Sequence, residues 1–365
     1  MVYGQEDVST EELSDIRMRD ANVLADESTG TYYITSSARD AGVRVYTSKD
    51  LVRWEGPHIV YRTPDTMWGT DVEINSIWAP EMHKYNGKYY LFLTFSSSKE
   101  LPEQWDEWFE WLPRVRRASQ VLVSDSPLGP FEPFSNQPAL PKEMMTLDGT
   151  LWEEDGTPYM VYCHEWVQIV DGAVSMVELA EDLSKTVGEP EVLFHGSAAP
   201  WASRSTDWGS GSWVTDAPWL YRSKSGKLFM LWSGYNDGVY HSGLAVSESG
   251  ELAGPWIQQD EPIYSDDGGH PSLFTTFDGT LMMALHSPNS DEERMHLFEM
   301  ENTGETLRIV REFTAGQQES AHSHMARRPA RAILHVTRLF VGQALPALRP
   351  LPYCHNCVKA RVIRS

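Results

Sequence analysis

GKYYLFLTF, residues 87 to 95, is a glycine and a turn residue followed by an aromatic and apolar run. Four other stretches echo it: GTYYITSS from Gly30, GTPYMVYCH from Gly156, GKLFMLWSG from Gly226 and GTLMMALHS from Gly279. The five glycines are 57, 69, 70 and 53 residues apart, a loose period that suits one four-stranded sheet with its loops. Each echo follows an apolar run and a turn. After it comes a segment such as GVRVYTSKDLVRWEG, SQVLVSDSPLGPFEPF or HSGLAVSESGELAGPWIQ. These are strand signals at short spacing, with no long helical period between them. The pattern predicts an all-β chain forming a five-bladed β-propeller over roughly residues 15 to 313. A two-sheet sandwich is the alternative, and it requires five in-phase repeats to arise by coincidence.

Composition narrows the partners. The formal charge of −22 argues against nucleic acid and anionic membranes, which are bound by clustered Lys and Arg. A neutral ligand fits better, and 14 Trp, 15 Tyr and 12 Phe supply flat apolar faces for one. No apolar run reaches about 18 residues, and MVYGQEDVSTEELSD at the start lacks the basic and apolar regions of a signal peptide. The chain as given therefore reads as cytoplasmic, or extracellular if its true N-terminus lies further upstream. Cys163 sits in a strand-like run, while Cys354 and Cys357 form CHNC near the end without a second ligand pair for zinc.

Two segments break the period. KELPEQWDEWFEWLPRVRRAS, residues 99 to 119, carries Trp105, Trp108 and Trp111 between charges and reads as a loop over the propeller mouth. From Thr314 onward there are eight Lys or Arg against one acid, Glu319, which leaves the preceding body near −29. Residues 1–313 are thus expected to form the propeller domain. Residues 314–365 are expected to be a basic tail that is disordered, helical or foreign to it.

The first strand of a propeller blade lines the central channel, so the residues at the heads of those strands converge. Counting back from each hairpin glycine gives Asp20, ten before Gly30; Glu81, six before Gly87; Asp148, eight before Gly156; Asp216, ten before Gly226; and His270, nine before Gly279. Four carboxyls and a histidine crowded in a cleft repel one another, and at least one carboxyl should hold its proton to unusually high pH. One protonated and one ionised carboxyl are what glycosidic bond cleavage requires. Trp78, beside Glu81, and Trp108 are candidate platforms for a sugar face. For any single Asp the plain alternative is a turn or a cap. His83, His164 and His286 read as core or loop histidines.

These residues resemble glycoside hydrolase family 43, over roughly residues 15 to 313. The markers are RD at 19 to 20, WAPE at 78 to 81, LDGTLW around Asp148 and TDAPWLYR around Asp216. The resemblance implies a five-bladed propeller that cleaves α-L-arabinofuranosides or β-D-xylosides with inversion. It implies Asp20 as general base, Asp148 as the residue that tunes the acid, and Asp216 in the acid's position. His270 matches a channel histidine beside a bound calcium or water, so a structural Ca2+ in the channel is an expectation, while no cofactor is required for the chemistry. The implied partner is an oligosaccharide or polysaccharide, with L-arabinofuranose or xylose released. Two departures stand out: Asp20 precedes Ala21 where the family often has Pro, and Asp216-Ala-Pro replaces Glu-Gly-Pro. Asp is one methylene shorter, so Glu81 and Glu165 are alternative acids. A galactofuranosidase and a non-catalytic sugar- or protein-binding propeller are the competing readings.

Overall fold

A computed structural model of the protein describes residues 8–20, 22–38, 41–105, 112–205 and 211–314. They form five antiparallel sheets that succeed one another along the chain, and the molecule is a five-bladed β-propeller. The inner strands are Asn22–Asp26, Ile74–Tyr85, Thr146–Glu154, Asp216–Arg222 and Gly269–Thr275. The quoted echoes are the second strands: Thr31–Ala38, Lys88–Glu100, Thr157–His164, Leu228–Asn236 and Leu281–Ser287. Each recurrent glycine lies in the hairpin turn just before its second strand, at a φ between +57° and +90°, a region a side chain enters only at a cost. That is why glycine marks the period.

Blades two to five have four strands, and blade one has five, because Ser9–Glu12 pairs with the outer strand Arg53–Arg62. The apolar residues fall into clusters that lie between blades. Val43, Val45 and Tyr61 of blade one pack with Leu91, Leu93 and Phe95 of blade two; blades two and three, three and four, and four and five repeat the arrangement. Between blades five and one, Ile16, Met18 and Ile34 meet Met282, Ala284 and Leu297. Across this last junction, an isolated bridge joins Arg17 to Arg294. The basic tail and the Cys354–Cys357 pair lie outside the described residues, so the expected boundary at residue 313 stays an expectation.

Candidate active site

The inner strands share one irregularity. In blades two to five the register slips by one residue between Trp78 and Glu81, Leu147 and Thr150, Asp216 and Trp219, and Gly269 and Ser272. These are β-bulges, which add a residue to one strand and re-aim its side chains. One residue in each takes a left-handed φ: Ala79 +43°, Asp148 +52°, Ala217 +53° and His270 +57°, with Asp20 at +49° just ahead of the blade-one inner strand. The following residue is Pro80, Gly149, Pro218 or Pro271. A proline has no N–H to lose from the ladder, and a glycine has no side chain to accommodate.

A cavity of about 740 Å³ opens on these bulges. Asp20, Asp148 and His270, at the left-handed position, line it together with Arg19, Trp78, Leu147 and Asp216, each one residue earlier. Five of the seven residues expected at the mouth are therefore brought together. Glu81 is not: it lies two residues past its bulge residue, is absent from the lining, and is buried with Oε2 3.0 Å from His83 Nε2. The extra residue of the bulge separates it from Trp78, which takes the place counted for Glu81. Trp108 falls outside the described residues. Its neighbours flank the cavity, since Leu112 lines it and Trp105 Nε1 donates to the Val167 carbonyl at 2.7 Å.

In three blades the side chain seven residues after the hairpin glycine accepts the backbone N–H of the next blade's left-handed residue. Thr94 Oγ1 accepts from the Asp148 N–H at 2.9 Å and Ser233 Oγ from the His270 N–H at 3.0 Å. In blade five this position is His286, 1% exposed, whose Nδ1 is 3.1 Å from Asp20 Oδ1. His270 Nδ1 lies 3.3 Å from the same oxygen and the Arg19 guanidinium 3.7 Å from Oδ2. Burial opposes charge on Asp20, but His270, His286 and Arg19 outweigh it and hold its carboxyl well below the usual range.

Asp216 is in the opposite state. Burial pushes its carboxyl up to about 7, against the hydrogen bond from Tyr240, and the charges of Asp20 and Glu165 push the same way as burial. The Tyr240 hydroxyl donates to Asp216 Oδ2 at 3.0 Å, and its ring stacks on His286. Asp148 is likewise raised, by burial and by the charges of Asp216 and Asp20, and its Oδ2 accepts the Ala217 N–H at 3.0 Å. Asp20, held ionised, and Asp216 and Asp148, both pushed toward the protonated form, thus line one cavity. The sequence reads His286 as a core or loop histidine and gives no sign of Tyr240, because both sit in apolar second- or third-strand runs.

Ca2+ prefers six to eight oxygen ligands. At His270 the buried Nε2 stands unpartnered, and no group of three or more His, Cys, Asp or Glu among the described residues is arranged to hold a metal. The side chains do not make a direct Ca2+ cage. Nε2 suits a water.

The family model for glycosyl hydrolases family 43 matches residues 13–311. The crystal structure of an endo-arabinase from Bacteroides thetaiotaomicron is 39% identical, covering 80% of this chain and 97% of that one at a TM-score of 0.71. A β-xylosidase of Bacillus subtilis is 24% identical over 66% of this chain and 41% of its own length. An extracellular exo-α-(1→5)-L-arabinofuranosidase of Cellvibrio japonicus is 22% identical over 70% of this chain and 75% of its own. The chain thus spans about two fifths of the Bacillus relative.

Proposed function

The chain belongs to glycosyl hydrolases family 43, and from that membership we propose that it hydrolyses α-L-arabinofuranosidic bonds, with inversion, in arabinose-containing oligo- or polysaccharides. The observation that carries the reading is the opposite state of two carboxyls in one cavity, Asp20 held low and Asp216 raised to about 7. Arabinose is preferred to xylose because the 39% identical structure is an endo-arabinase.

In the proposed mechanism Asp20 is the general base. Its carboxylate takes a proton from a water, which attacks the anomeric carbon on the face away from the leaving group. Asp216 gives its proton to the leaving glycosidic oxygen and ends as a carboxylate, which the Tyr240 hydroxyl stabilises. Asp148 accepts the Ala217 N–H and so fixes the peptide beside Asp216. Trp78 offers a ring face to the sugar, its other face being covered by the Arg117 guanidinium 3.9 Å from the ring centre. A hydrated Ca2+ in the channel would be held through water at His270. The substrate is a neutral carbohydrate, in keeping with the net charge of −22. Among the described residues no helix is long and apolar enough to cross a membrane.

The test is to assay the purified protein on aryl α-L-arabinofuranoside, β-D-xyloside and β-D-galactofuranoside, following the first-formed sugar by proton NMR. Cleavage of the arabinoside with the inverted anomer is expected. Faster cleavage of either other glycoside reassigns the sugar, a retained anomer makes Asp20 a nucleophile, and inactivity on all three favours a binding propeller.

A further inference from the structure

Glu165 lies just past the blade-three second strand, at the start of the short helix Trp166–Ile169, and no step above uses it. It lines the cavity yet is 4% exposed. One carboxylate oxygen, Oε1, is paired with Arg117 Nη1. The other, Oε2, is buried and has no hydrogen-bond partner. A buried carboxylate oxygen without a donor is costly, and native structures avoid it unless a ligand or water completes it.

Its surroundings are rigid. Arg117 Nε donates to Ser96 Oγ at 3.1 Å while its guanidinium lies over the Trp78 ring, so Trp78, Arg117 and Glu165 form one continuous polar and aromatic wall. The Glu165 backbone N–H donates to the Met145 carbonyl at 2.9 Å. Trp166, Val167 and Leu112 line the cavity on this side and, with Met145 and Val214, make an apolar cluster. Trp166 and Val167, the two residues after Glu165, pack with Val214, two residues before Asp216, and the charge of Glu165 acts on Asp216. Glu165 therefore belongs to the Asp216 side of the cavity, the side to which a leaving group receiving the Asp216 proton must extend.

We propose that Glu165 Oε2 accepts a hydrogen bond from a hydroxyl of the leaving-group sugar, so that Glu165, fixed by Arg117, selects substrates with a sugar rather than a simple alcohol beyond the scissile bond. The inference rests on the assignment of Asp216 as acid and of arabinosides as substrates. It differs from acid catalysis in what it asks of the leaving group: an acid serves any poor leaving group, whereas Glu165 serves only one that carries the hydroxyl.

The experiment compares wild type and Glu165→Gln on an arabino-oligosaccharide and on methyl α-L-arabinofuranoside, both of which need a proton donor while only the first carries a leaving-group sugar. Losing a hydrogen bond to a charged acceptor corresponds to about 10- to 100-fold. Assayed well below pH 7, where Asp216 is protonated with or without the charge of Glu165, Glu165→Gln should lose about that factor in kcat/KM on the oligosaccharide and stay within about twofold of wild type on the methyl glycoside. Glu165→Asp, which keeps the charge facing Arg117 but withdraws Oε2, should show the same selective loss and covers the case in which the Gln variant does not fold. Equal losses on both substrates, or no loss on either, overturn this inference alone. A wild type inactive on both, and on the aryl arabinoside, removes the arabinoside assignment together with it.

Discussion

At Asp216 a carboxyl that is ordinarily ionised above pH 4 keeps its proton to about 7, because burial outweighs the donor from Tyr240. A general acid works only while protonated, so kcat/KM should fall on the alkaline side near that value. Tyr240 favours the ionised form by donating to it. Tyr240→Phe removes the donor, raises the Asp216 value further and should move the alkaline limb to higher pH; a limb that stays put would mean that another group controls it. The sequence announced Asp20, Asp148 and Asp216 because each is a charged residue at a strand head. It did not announce His286. MMALHS reads as a buried strand, and nothing local says that its last histidine reaches the carboxylate of another blade, a contact that exists only because blade five meets blade one.

The bulge is the element that converts strand heads into a site. Its sequence signature is a proline or glycine after the left-handed residue, in WAPE, LDGT, DAPW and GHPS. Aligned on that residue the five blades offer Asp20, Ala79, Asp148, Ala217 and His270, whereas counting from the hairpin glycine slides by up to two residues and selects Glu81. A one-residue insertion breaks the period-two logic of a strand, so counting alone misses it. The bulges also set how close neighbouring blades come. A Cβ added at Gly269, one residue before its bulge residue, would lie 2.3 Å from the Tyr240 ring, and the ring would have to leave Asp216. Gly269→Ala should cost about 1–3 kcal/mol of stability, as overpacking does, and should raise the alkaline limb as Tyr240→Phe does. Denaturant unfolding and a pH profile check the two effects; loss of stability with an unmoved limb would show that Tyr240 keeps its bond.

The propeller as a whole distributes the proposed chemistry, with the proposed base on blade one, the carboxyl proposed to tune the acid on blade three and the proposed acid on blade four. Each blade is a contiguous stretch apart from the N-terminal strand, and the blade count was legible because every blade repeats the same glycine hairpin. How the ring closes was not legible, since closure uses no hairpin. Among the described residues no strand is exchanged between blades one and five, and apart from the isolated Arg17–Arg294 bridge their junction is packed by side chains around Ile16, Met18 and Leu297. Leu297→Ala, at a 1% exposed position, should therefore lower the unfolding free energy by about 2–5 kcal/mol; a loss under about 1 kcal/mol would mean that the seam tolerates a void. The central claim is that carboxyls from different blades act as base and acid on one bond, and the most direct measurement compares Asp20→Asn and Asp216→Asn on two leaving groups. Asp216→Asn should lose about 10²–10⁴-fold on arabino-oligosaccharides while sparing an aryl arabinofuranoside whose phenol leaves as an anion, and Asp20→Asn should cripple both alike. Equal loss on both substrates for Asp216→Asn, or no loss on either, would contradict the account.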